Sequence, residues 1–156
     1  MEGKNKHLFI VKADKNHGFA SFSDARKWAK EHIVGIVQQP DIGEVNISGK
    51  SIEKYLSEKA VDKSDSKDVH LSALRVLPDI IENSMVGDIH NDRDNNIDIH
   101  DIVRLYGCIE ILYQRYRVKI TVKRYNDIKT MPKAYSYEVT KIELLEGFSA
   151  TTPSLK

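Results

Sequence analysis

Apolar residues recur along this chain in two periods, and the switch between them divides it. Leu8-Phe9-Ile10-Val11 is a short apolar run that reads as a strand, closed by Asn16-His17-Gly18. Ala25, Trp28, Ala29 and Ile33 follow at helical spacing. Ser23 is placed to cap that helix, and Asp24 in its first turn complements the helix dipole. Trp28 reads as the anchor of its apolar face. Val45 and Ile47 alternate with polar neighbours and predict a short strand before Gly49. Residues 1–47 therefore read as a small strand–helix–strand unit.

Residues 48–146 read as a second unit with helices ahead of strands, and 147–156 as a tail. Ser48 or Ser51 can cap a helix carrying Ile52, Tyr55 and Leu56. A solvated stretch, Asp62 to Asp68, separates it from Leu71, Leu74, Leu77, Ile80 and Ile81, which recur at three and four. Pro78 inside that pattern predicts a kink or a break. Polar Gly87 to Asp101 reads as a long exposed loop. Three alternating runs follow: Ile109 and Ile111; Val118, Ile120 and Val122; Tyr137 and Val139, passing into Ile142 and Leu144 with a phase change near Lys141 that suggests a bulge. Their short connections favour antiparallel pairing, so the fold class is α+β: helices first, then an antiparallel meander sheet. Leu74, Leu77, Ile80, Val118, Ile120 and Val122 are expected to share one core.

Composition narrows the class without naming a chemistry. The 156 residues are 40% hydrophobic and 30% charged, which suits one folded core and excludes a disordered chain. The single cysteine, Cys108, excludes an internal disulfide and a cysteine zinc site, and it reads as a buried small hydrophobe. The longest uncharged run, Ile33 to Pro40, is far short of a membrane span, and Met1 to His7 lacks the apolar core of a signal peptide. A soluble, cytoplasmic domain without a membrane partner is expected. The net charge is only +1, yet it is unevenly spread. Residues 79–101 hold seven acids against Arg93, and residues 113–133 hold seven bases against Asp127.

That local asymmetry is where chemistry can sit. In the strand ending at Tyr125, period two puts Val118, Ile120 and Val122 on one face and Arg117, Lys119, Thr121, Lys123 and Tyr125 on the other. Cations interleaved with an aromatic suit phosphates and stacked bases. A solvated outer face, or pairing with the acidic segment, suits the same residues. Asp92, Asp94, Asn96 and Asp98 have the spacing of calcium ligands, but Ile97 stands at the glycine position and Val103 at the bidentate glutamate position, so no metal is expected. His90 and His100 in that segment have no zinc-ligand spacing; His7 and His17 read as exposed, and His32 as a packing or surface residue. His70, at the start of the strongest helix and after Lys63 and Lys67, is held toward the neutral form by the helix dipole and is the candidate base. Ser136 opens the last strand, where a hydroxyl can meet a phosphate. No phosphate loop, dinucleotide fingerprint or Gly-x-Ser-x-Gly is present, and no cofactor is expected.

Three runs carry a resemblance: His70-Leu-Ser-Ala-Leu-Arg-Val-Leu-Pro-Asp-Ile-Ile-Glu-Asn-Ser84, Tyr116-Arg-Val-Lys-Ile-Thr-Val-Lys123, and Ala134-Tyr-Ser-Tyr-Glu-Val-Thr-Lys-Ile-Glu-Leu144. Over roughly residues 46–146 they resemble a large polyvalent protein-associated domain of phages and mobile elements. They are also similar to the phage members of the barnase–colicin–RelE nuclease superfamily. The resemblance implies an RNase-like fold. It further implies one of two functions: a non-catalytic module binding RNA, DNA or other domains of a longer polyvalent chain, or a metal-independent RNA endonuclease. In the second, His70 would be the base, Lys119 and Arg117 would stabilise the phosphorane, and Ser136 would lie in the matching strand. The nucleic-acid surface in either case would be Arg117, Lys119, Lys123, Arg124 and Tyr125.

Overall fold

The computed structural model describes residues 9–142. In chain order these form β1 (Ile10–Lys12), α1 (Phe22–His32), β2 (Gly35–Gln39), β3 (Gly43–Ile47), α2 (Gly49–Tyr55), α3 (Glu58–Asp62), α4 (Lys67–Arg75), α5 (Leu77–Glu82), β4 (Met85–His90), β5 (Ile99–Ile111), β6 (Gln114–Tyr125) and β7 (Lys133–Lys141). No helix among the described residues is long and apolar enough to cross a membrane. Leu8 at the start of the first apolar run, Leu144 at the end of the last, and the tail 147–156 lie outside the described residues.

The fold is α+β, and its one sheet is mixed. The strand order is β1-β5-β6-β7-β3-β2. Successive strands from β4 to β7 pair antiparallel, while β1 runs parallel to β5 and β3 parallel to β7. The expected all-antiparallel sheet is thereby corrected: β1 and β3 arrive from before the helices and enter beside strands that follow them. The thirteen residues of β5 are long enough to host two neighbours on one side, β4 along the first half and β1 along the second.

Several local expectations hold and others shift. Ser48 caps α2 and forms a reciprocal capping box with Ser51. Pro78 falls in the first turn of α5, so the helical pattern breaks at Val76, which ends α4 and opens α5. Ser21, not Ser23, caps α1, because its hydroxyl accepts from the Asp24 amide three residues on. The expected loop Gly87–Asp101 is shorter than its polarity implies: β4 runs to His90, β5 starts at Ile99, and only residues 91–98 form the connection. Within β4 the polarity reflects an edge position, where Asp88 and Ile89 are exposed, while the polar run 91–98 is the connecting turn itself. The bulge lies between Ala134 and Ser136, not at Lys141.

Leu74, Leu77, Ile80, Val118, Ile120 and Val122 are all fully buried in one cluster with Val45, Ile47, Ile52 and Tyr137. Trp28 is only partly buried, since the fully buried positions of α1 are the small Ala25 and Ala29. Its ring instead lies at the rim beneath the Arg75 guanidinium, 4.6 Å away. Helix α5 approaches β5 at Gly107, where an added Cβ would stand 2.7 Å from Ile80 Cγ2. Gly107→Ala should therefore push α5 off the sheet and cost about 1–3 kcal/mol, seen as a lower urea midpoint.

Candidate functional site

The histidine nominated as a base is at the bottom of the core. His70 follows three residues into α4, whose Ser66 cap accepts from the Val69 amide. Residues His70 to Leu74 are buried almost all round the helix. The His70 ring stacks on Tyr137 at 4.3 Å between centroids. Its Nε2 lies 2.8 Å from the Tyr55 carbonyl, which can only accept, so the proton sits on Nε2. Nδ1 then accepts from the Ser64 hydroxyl at 2.7 Å, and Ser64 Oγ accepts from the Val139 amide at 2.8 Å. Tyr137 donates its hydroxyl to the His70 carbonyl at 2.9 Å. Burial drives the imidazole pKa down to about 4. The ring is neutral, as expected, but the cause is desolvation rather than the helix dipole, and both nitrogens are occupied by protein groups.

The basic face lies on the other side of the sheet. Tyr137 pairs with Ile120, whose side chain is in the core, so Lys119 and Thr121 point away from His70. The expected juxtaposition of His70 with Lys119 and Ser136 is corrected accordingly: the sheet stands between them. Lys119 pairs with Glu138 at 3.3 Å, the residue directly opposite on β7. Ser136 is opposite Thr121 on the same outer face as Lys119.

On that outer face the register brings cations and tyrosines together. Arg117 lies over the Tyr106 ring at 5.1 Å, Lys123 over Tyr135 at 3.8 Å, and Lys133 over Tyr125 at 5.7 Å. Tyr106 is opposite Lys119 in β5 and packs across Gly87, where a Cβ would come within 2.0 Å of its ring. Tyr135 is the extra residue of the β7 bulge. Lys54, from the last turn of α2, donates to its hydroxyl at 3.1 Å. That hydrogen bond, with the nearby Lys123 and Lys54 charges, lowers the phenol's pKa against the opposing effect of burial.

Arg124 does not join this face. It reaches the Asp101 carboxylate through Nε at 2.7 Å and Nη2 at 2.6 Å, a bidentate pair that holds the Asp101 carboxyl below its ordinary range. Of the basic run, Arg124 is thus the member that answers the acidic segment. Elsewhere in that segment Asp88 pairs with Arg104 at 3.8 Å, Asp92 accepts from the Asn96 amide, and Asn96 Oδ1 from that of Asp98.

Arg117, Lys119, Lys123 and Tyr125 are therefore brought together as expected, and His70 and Arg124 are not. Sequence reasoning missed Tyr106, Lys133, Tyr135 and Lys54. Tyr106 and Lys133 require the inter-strand register. Tyr135 is hidden by the bulge, because strict alternation would put it on the same face as the buried Tyr137.

A family model described as large polyvalent protein-associated domain 3 matches residues 20–135, from just before α1 to the bulge in β7. The match starts earlier than the resemblance read from the sequence, taking in α1 and the β2–β3 hairpin. No curated protein and no solved structure matches the chain.

Proposed function

The chain belongs to the large polyvalent protein-associated domain 3 family, and from that premise we propose that it is a non-catalytic module of a longer phage or mobile-element chain, one that holds single-stranded nucleic acid on the outer face of β5–β6–β7. The observation that carries this reading is the repeated pairing of a cation with a tyrosine ring: Arg117 with Tyr106, Lys123 with Tyr135, and Lys133 with Tyr125. Each pair places a charge for a phosphate beside an aromatic ring on which a base can stack once the cation turns to the phosphate. Such a surface binds unstacked bases with little sequence preference. The helices pack on the opposite face, where Val118, Ile120 and Val122 are fully buried, while Arg117, Lys119 and Lys123 keep solvent access. Single strands suit it better than a duplex, whose bases turn their faces to one another.

A base for 2′-hydroxyl activation would have to reach the strand within hydrogen-bond distance. His70 is fully buried behind the sheet with both ring nitrogens engaged, which favours the binding reading over the nuclease one. The test is fluorescence anisotropy with a short labelled RNA or DNA strand. Binding is expected, weakening roughly 10- to 20-fold between about 50 and about 200 mM salt if about three phosphates are neutralised, with the RNA recovered intact. Absence of binding, or binding indifferent to salt, overturns the proposal.

A further inference from the structure

A cleft of about 380 Å³ opens beside β7, next to the basic face, and it is lined on its helical side by Lys54, Lys59 and Lys63. Lys54 ends α2, Lys59 lies on α3, and Lys63 is the residue that terminates α3. The three are exposed, so their ammonium groups can gather on one ligand. The opposite wall is the segment Tyr135–Glu138 of β7.

The way β7 is tethered leaves this wall open. At one end the Ser51 hydroxyl donates to the Ala134 carbonyl at 2.5 Å. At the other, Val139 is held through its amide by Ser64 Oγ at 2.8 Å and through its carbonyl by the Asp65 amide at 2.9 Å. Tyr137 lies between the two tethers. The alternation of an antiparallel ladder turns its N–H and C=O the same way as those of Val139, away from β6 and into the cleft. The acid on this wall, Glu138, is drawn to Lys119. Tyr135 stands at the junction of cleft and face, with Lys54 from the cleft 4.7 Å and Lys123 from the face 3.8 Å from its ring centroid.

The geometry points to a phosphate subsite in this cleft, formed by Lys54, Lys59, Lys63, the Tyr135 hydroxyl and the Tyr137 amide, which takes a phosphate group of the strand laid across the neighbouring face. The chemistry is that of a compact dianion or diester met by three mobile point charges and directed N–H and O–H donors. The assignment of its ligand as a nucleic-acid phosphate rests on the reading of the face given above, because Tyr135 and Lys123 belong to both.

Two titrations of the full chain separate the claims. In the first, inorganic phosphate is added and backbone amide shifts are followed by NMR. Amides of residues 54–63 and 135–138 should shift saturably, and Lys59→Glu combined with Lys63→Glu should abolish the response. Both lysines are exposed, so this variant should keep the wild-type melting temperature. In the second, the same variant should bind the labelled single strand at least about tenfold more weakly. If it binds the strand as tightly as the wild type and phosphate shifts nothing at the cleft, the subsite is overturned while the face reading stands. If phosphate binds and the variant loses it, but no single strand binds, the cleft is a site for free phosphate, and both the nucleic-acid ligand and the face reading are overturned.

Discussion

His70→Ala is expected to lower the stability of the domain by about 3–5 kcal/mol and its melting temperature by roughly 10 °C. The deleted ring is stacked on Tyr137 and fully buried, so a cavity remains. The Tyr55 carbonyl loses its donor, and the Ser64 hydroxyl loses its acceptor. These groups come from the end of α2, the turn between α3 and α4, and β7, so one side chain ties three elements. The same burial makes the wild type acid-sensitive. The folded pKa of about 4 lies below the ordinary value of 6.5, so the unfolded chain binds a proton that the native state refuses. His70 therefore costs nothing above pH 6.5, and stability falls as the pH drops from there towards 4, by roughly 3 kcal/mol across the window. His70→Gln, which can still donate to the Tyr55 carbonyl, should be less destabilised than the alanine variant and should lack this part of the pH dependence. Denaturant midpoints of the three proteins across that window measure both effects. A glutamine variant with the wild-type pH slope would mean that His70 is protonated in the native state.

What the sequence disclosed is what two periods can encode. The alternation of Val118, Ile120 and Val122 placed β6 with its correct buried face, because these three meet the core and Lys119, Thr121 and Lys123 do not. The three-and-four spacing of Leu71 to Ile81 likewise located α4 and α5, and Pro78 their break. Failures arose where position in the sheet outweighed residue type. β4 carries Asp88 and exposed Ile89 because it is an edge, and the start of β5 carries Asp101 because Arg124 neutralises it from the neighbouring strand. His70 is the clearest case. A histidine counts as polar in any pattern, and only its partners, brought from 15 residues before and 67 after, make it a core residue. Function followed the same division. The face of β6 was visible from one strand alone, whereas its tyrosine platforms at 106 and 135 depend on neighbours and on a bulge.

Reversing charge on the face separates residues that the sequence grouped as one. Arg117→Glu, Lys123→Glu and Lys133→Glu together should lower affinity for a single strand by about 100-fold or more at low salt, since three phosphate contacts become three repulsions. The salt dependence should flatten as well, because fewer counterions are released on binding. Stability should change by less than about 1 kcal/mol, as each side chain rests on an exposed sheet face and its ring contact is partly solvated. Arg124→Ala should do the reverse. The bidentate pair with Asp101 leaves that carboxylate at 12% side-chain exposure, and removing its partner strands a largely buried charge. A stability loss of about 1–3 kcal/mol is expected, with strand affinity within about twofold of the wild type. Anisotropy titrations at two salt concentrations, set beside thermal melts of the same samples, read out both quantities. If Arg124→Ala weakened binding as much as the triple variant while leaving stability intact, the interface would lie on the helix-facing side of β6, and the tyrosine face would have no part in it.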